Sequence, residues 1–379
     1  MSARLAALII VLVVIAAAAG YMAALIAGKP STLTLTVTST TTTTVTRTVT
    51  STVSKSVTVT TTTTRMVRLE WPRFVIDALG RNVTIPKPPK RIATLSPAAT
   101  EILWALGALN RLVACDHYSD YPPIVVKWKR EGRVVDVGGY WWTTLKIEKL
   151  VAAKPDLVIA EVGAHAKLEK VFEKYGLRVL YIMGGAAKSL RDVYHDIWLV
   201  GYAIGAEANA TRWISEMRRN VTLVEERLRE ANATRVPTLF IVWWSPQGVY
   251  VAGGDTFISD MLAKAGGVNV ASRYTGWPKL SLEQVASMRP KLILYANAYA
   301  DRNKTLETLE KIASTPPFKQ LVGNGARICG IYGSLADLIL RPGPRAAMGV
   351  QLLAKILHPE VFGQPPSGNA SGVVCLKGG

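Results

Sequence analysis

Short apolar runs alternate with stretches whose apolar residues recur at three- and four-residue spacing through most of the chain. That is the pattern of strands separated by helices. Strands are predicted at 92–95, 112–115, 157–160 and 179–182 in the first half, and at 238–242, 292–295 and 328–331 in the second. Two alternating runs around Gly80, within 74–85, predict a β-hairpin ahead of them. Strands alternating with helices imply parallel sheets wound by right-handed crossovers.

The halves echo each other. Residues 147–159 and 282–294 both read as a short helix stopped at a basic–Pro pair, Lys154-Pro155 and Arg289-Pro290, and followed by a buried strand. Ser96-Pro97 and Ser245-Pro246 each follow a predicted strand, and each is expected to lead into a helix ending in a Gly turn, at Gly107 and Gly266. Between the halves, 207–232 lacks Pro and Gly and places Trp213, Met217, Val221, Val224 and Leu228 on one helical face. The fold expected is α/β: two Rossmann-like lobes with parallel sheets, 67–206 and 233–363, joined by one long rigid helix and followed by a tail, 364–379.

The N-terminus differs in kind. Residues 5–28 are uncharged and apolar, and as a helix would span about 36 Å against a hydrocarbon core of about 30 Å. The expectation is an uncleaved transmembrane anchor; the alternative is a signal peptide cleaved near the small residues Ala16 to Ala19. Arg4 before the run places the N-terminus in the cytosol and the rest of the chain outside the cell. Residues 29–66, mostly Thr and Ser, have too few large apolar side chains for a core and read as an extracellular linker.

Of ten Asn, six lie in N-x-[ST] sequons, at Asn82, Asn209, Asn220, Asn232, Asn303 and Asn369. Sequons are acceptors only in a secretory setting, so the excess agrees with an external domain and expects solvent-facing positions. The net charge of +18 does not imply nucleic acid, because the bases are interspersed with acids, and the one cluster, Lys127 to Arg133, reads as a solvated face. Three Cys without a CxxC pair exclude a disulfide scaffold and make iron–sulfur and zinc-ribbon sites improbable. Whether Cys329 and Cys375 pair depends on geometry. His117 and His165, even with Asp116 or Glu161, offer too few donors for a stable metal site. No GxSxG, HExxH, Walker or dinucleotide-binding motif occurs, and Gly253-Gly254-Asp255 reads as a tight turn. No catalytic residue, metal or resident cofactor is expected.

Ligands of open α/β sheets sit beyond the carboxyl ends of the strands, and the residues predicted there are aromatic. Tyr118 follows the second strand; Tyr140, Trp141 and Trp142 precede the first echoed helix; Trp243 and Trp244 end a second-lobe strand; Trp277 precedes the second echoed helix. Flat, stiff side chains suit a large, partly apolar ligand. Trp104, Trp198 and Trp213, on helices, are expected in cores. Arg341, ahead of the last helix, is a candidate for an anionic ligand group at the cleft rim.

The segments 91–103 (RIATLSPAATEIL), 118–123 (YSDYPP), 137–141 (VGGYW), 252–258 (AGGDTFI) and 276–285 (GWPKLSLEQV) resemble the extracytoplasmic substrate-binding proteins of ATP-driven importers for cobalamin, haem and ferric siderophores. The resemblance implies two lobes on a rigid helix, a large metal chelate such as cobalamin or a ferric siderophore in the cleft, and delivery to a permease dimer with a cytosolic ATPase. In cobalamin binders the matching ligand contacts fall on Tyr118, on Trp141 or Trp142, and on Trp277. Permease docking falls on one carboxylate per lobe, Glu148 and Glu283. The anchor and Thr-rich linker depart from the bacterial pattern and look archaeal. A surface enzyme using the same cleft and a structural cell-surface protein are the competing classes.

Overall fold

The computed structural model describes residues 71–376; the segments 5–28 and 29–66 lie outside the described residues. Alternation of buried Val75, Val83 and Ile85 with exposed neighbours makes β1 (Arg73–Ile76) and β2 (Asn82–Ile85) an antiparallel hairpin. The first lobe is a five-stranded parallel sheet ordered β5-β4-β3-β6-β7, from β3 (Ile92–Thr94), β4 (Leu112–Cys115), β5 (Val135–Asp136), β6 (Leu157–Glu161) and β7 (Val179–Ile182). Strands covered on both faces read as unbroken apolar runs, and β3, β6 and β7 are buried throughout.

The second sheet has seven strands: β8 (Val236–Ser245), β9 (Gly248–Val251), β10 (Gly267–Asn269), β11 (Lys279–Leu280), β12 (Leu292–Asn297), β13 (Arg327–Tyr332) and β14 (Gly372–Cys375). Its centre, β10-β8-β12-β13, is parallel, while β9, β11 and β14 add antiparallel edges. Two expectations fail here. Ser245-Pro246 leads not into a helix but through a tight turn into β9; the counterpart of Ser96, which caps α1 (Pro97–Ala105), is Thr256, which caps α5 (Phe257–Lys264). The residues set apart as a tail, 364–379, supply β14, held to β13 by the Cys329–Cys375 disulfide.

The echoed segments form α2 (Ile147–Ala152) before β6 and α6 (Leu282–Ser287) before β12. Lys154 and Arg289, each next to its Pro, both adopt left-handed backbone, at φ 47° and 49°. Two basic residues thus bear the same unfavourable conformation at matching places, so the turn is a shared architectural device.

The helix α3 (Leu190–Ile204) starts from a Ser189–Asp192 capping box and stops at left-handed Gly205. After that turn α4 (Glu207–Glu230) runs 24 residues, about 36 Å. It buries Ala210, Ile214, Met217, Val221 and Val224, the last four worth about 1.5–3 kcal/mol each by removal from water. It packs against α1 and α3 of the first lobe, and against α5 and α8 (Ala346–Leu357) of the second. Trp104 of α1 meets Trp213 of α4 at 5.5 Å between ring centres, and Trp198 packs against the core from α3; all three are half-buried. One apolar core therefore runs through both lobes. A second bond set ties them beside the cleft: the Phe257 amide donates to the Ala187 carbonyl (3.0 Å) and the Leu190 amide to Asp260 (2.8 Å). Among the described residues no helix is long and apolar enough to cross a membrane.

Candidate functional site

The carboxyl ends of both sheets open onto one cleft. It holds two adjoining cavities, of about 470 Å³ and about 1050 Å³, which share Tyr140, Trp141, Gly185 and Leu340. Tyr118, after β4, packs against Tyr299, after β12, in the wall of the smaller cavity at 5.7 Å between ring centres. Tyr140 packs edge-on to Trp141 at 5.1 Å. Trp243 packs edge-on to Tyr250 (5.7 Å), and Trp277 against Phe257 (6.1 Å), in the larger cavity. Much of this surface is already in water: Trp141 is 57% exposed, Trp243 52% and Tyr299 66%.

The Gly-Gly-Asp segment positions Trp277. A Cβ on Gly253 or Gly254 would come within 2.6 Å of the Tyr274 carbonyl oxygen or 2.1 Å of that of Ser272. Only glycine lets the two loops approach so closely. The Gly254 amide donates to the Tyr274 carbonyl, and Asp255 accepts from the Gly276 amide. The expected tight turn is thus a clamp on the loop that carries the ring.

Three sequence expectations are corrected. Trp244 points opposite to Trp243 along β8, as strand alternation requires, and packs on the second-lobe core with its indole N–H buried. Trp142 lines neither cavity; its ring lies under Lys167, with Nζ 5.1 Å from the centroid. Arg341 does line the smaller cavity but offers no free charge. It is 7% exposed and binds Asp120 (2.7 Å), Asp337 (2.9 Å) and Glu101 (3.2 Å). Burial works against its charge, yet the Asp120 hydrogen bond and the Asp337 and Glu101 charges outweigh burial and hold the guanidinium protonated. Asp337 in turn is pushed up to about 7 by burial, since it shares Arg341 with two other acids.

Sequence reading missed Tyr299 and Tyr250, and considered Glu161 only as a metal donor. Tyr299 stands just past β12, beyond the carboxyl end of its strand as Tyr118 is beyond β4, so the rule that ligands sit beyond strand ends was the signal available. Glu161 ends β6, 2% exposed, and lines the smaller cavity. It accepts from the Tyr140 hydroxyl (2.6 Å) and the Gly185 amide (2.8 Å), and burial raises its pKa. The same loop is held from behind by Asp196, which accepts from the Met183 and Gly184 amides and is pushed up to about 7 by burial. His165 Nδ1 accepts from the Glu161 amide and the imidazole is lowered to about 4 by burial, while exposed His117 pairs with Asp136. Among the described residues no group of three or more His, Cys, Asp or Glu is placed to hold a metal. Glu148 and Glu283 are exposed, each in the first turn of its echoed helix. The Glu283 carboxyl sits below its usual range because its own amide and the Ser281 hydroxyl donate to it.

Residues 92–322 match the family model described as periplasmic binding protein. The chain belongs to that family. This binding protein is 28% identical, over 77% of its length and 87% of the relative's, to the uncharacterized ABC transporter substrate-binding lipoprotein YvrC of Bacillus subtilis. It is 25% identical to a vitamin B12-binding protein of Photorhabdus laumondii, over 54% of this chain and 70% of that one. Among solved structures, a periplasmic heme binding protein from Pseudomonas aeruginosa superimposes with a TM-score of 0.62 at 21% identity, covering 75% of this chain and 98% of that one, a likeness of fold. Membership places the chain among binding proteins of transport and not among enzymes.

Proposed function

We propose that this binding protein captures cobalamin or a closely related metal chelate between its lobes and hands it to the permease dimer of an ABC importer driven by a cytosolic ATPase. The observation that carries the reading is the pairing of aromatic walls with internally neutralised charge. In the smaller cavity the Arg341 guanidinium is matched by Asp120, Asp337 and Glu101, and burial raises the pKa of Glu161. A polyanionic ferric siderophore finds no free cation there. A corrin, rimmed by neutral amides and carrying one phosphate, fits rings below and the exposed Lys188 and Lys279 at the edge of the larger cavity. The vitamin B12-binding relative supports this choice over the haem reading.

Delivery rests on Glu148 and Glu283. They stand at matching places on α2 and α6, one in each lobe, as a two-fold partner requires, and their charge sets register with basic permease residues. Anchoring by residues 5–28 accounts for a chain with no Cys before Cys115 to carry lipid. The test is equilibrium titration of the full chain in detergent with cobalamin, haem and a ferric hydroxamate. Saturable, preferential binding of cobalamin is expected; preference for haem overturns the ligand, and binding of none overturns capture. The charge reversal Glu148→Lys with Glu283→Lys leaves that titration unchanged and abolishes uptake; retained uptake removes the docking role.

A further inference from the structure

We propose that Asn82, Asn232, Asn303 and Asn369 carry N-linked oligosaccharide, leaving the cleft and the docking helices bare, and that the sequon at Asn209 is silent. This rests on the external placement of the domain in the reading above, but not on its ligand. All four asparagines are exposed, and among the described residues their side-chain amides make no hydrogen bond. Each stands at the edge of an element. Asn82 opens β2, Asn232 lies just past α4 with left-handed backbone at φ 47°, Asn303 is in the first turn of α7 (Arg302–Ser314), and Asn369 is in the loop before β14.

Asn209 shares the sequon but not the geometry. Its Nδ2 donates to the Leu106 carbonyl at 2.8 Å, where α4 meets the end of α1, and lies 3.2 Å from where a Cβ on Gly107 would be. A sugar on that nitrogen would have no room between the Leu106 carbonyl and Gly107 and would force the helices apart. Asn220 is half-buried on α4 and is not counted among the four. None of the four lines either cavity, and none lies on α2 or α6. Bulky, hydrated chains there would cover the outer faces without obstructing ligand entry or the Glu148 and Glu283 surface.

In the transfer, the asparagine Nδ2 forms a bond to C1 of an oligosaccharide carried on a polyprenyl phosphate or diphosphate. The C1–O bond to phosphate breaks with its electron pair going to the phosphate, and Nδ2 loses one proton. The test is peptide mapping by mass spectrometry on full-chain protein purified from its own host's membranes. Glycan mass is expected on the peptides holding Asn82, Asn232, Asn303 and Asn369, with the Asn209 peptide at its unmodified mass. Four bare peptides, or glycan on Asn209, overturn the proposal. Replacing all four by Gln should bring the intact mass at those positions to that of the polypeptide while the cobalamin titration stays within about twofold. Bare sites with saturable ligand binding refute the glycan assignment alone, and glycosylated sites without ligand binding refute the capture reading alone.

Discussion

Replacing Glu101 by Gln tests whether charge holds the two lobes in register. Glu101, on α1 of the first lobe and 1% exposed, accepts from Arg345 Nε at 2.8 Å, Arg345 Nη2 at 2.6 Å and Arg341 at 3.2 Å, both arginines coming from the second lobe. Gln keeps one acceptor but turns an NH₂ donor toward a guanidinium. Arg341 retains Asp120 and Asp337, whereas Arg345 retains no ion pair among the described residues, only the Tyr121 ring at 3.8 Å and the more distant charge of Asp337. Stranding a buried charge in this way costs about 3–5 kcal/mol. Urea unfolding at pH 7 should show that loss. Asp120→Asn, at a carboxylate 46% exposed, should lose less than about 1 kcal/mol. The double variant Glu101→Gln with Arg345→Gln should recover most of the loss, because neither charge is then unpaired. A Glu101→Gln loss below about 1 kcal/mol, or no recovery in the double variant, would refute the argument that this cluster latches the lobes.

Other consequences are open to measurement. Trp141→Ala should weaken cobalamin binding about 10- to 100-fold, or about 1.4–2.8 kcal/mol, whereas Trp142→Ala should change it less than threefold; equal effects would misplace the cleft. Asp196 is pushed up to about 7 by burial; a carboxyl raised on folding stabilises most below its unfolded pKa and loses that contribution as pH rises to about 7. The melting temperature of Asp196→Asn should therefore gain on that of the parent between pH 5 and pH 8, and a pH-independent gap would contradict the assignment. Reducing Cys329–Cys375, which closes 46 residues, should cost about 2–4 kcal/mol by freeing the unfolded chain, with β14 losing amide protection first; unchanged hydrogen exchange at β14 would count against it.

The sequence by itself determined the parts whose physics is local. Buried parallel strands announce themselves as apolar runs, so all seven predicted strands stand within a few residues of those observed, and α4 followed from apolar spacing without Pro or Gly. The echo at Lys154-Pro155 and Arg289-Pro290 disclosed the paired lobes because the same turn chemistry recurs. The antiparallel edges β9, β11 and β14 are only two to four residues long, and β11 and β14 pair with strands remote in sequence, so no local period marked them. Neighbouring rings were also indistinguishable in sequence: Trp243 and Trp244 part company only because a strand sends successive side chains to opposite faces. Arg341 read as a free cation until folding set Glu101 and Asp120, more than 200 residues away, against it. Which side chains become ligand wall, core or latch is decided by contacts between residues far apart in the chain, and those exist only once both lobes have closed around α4.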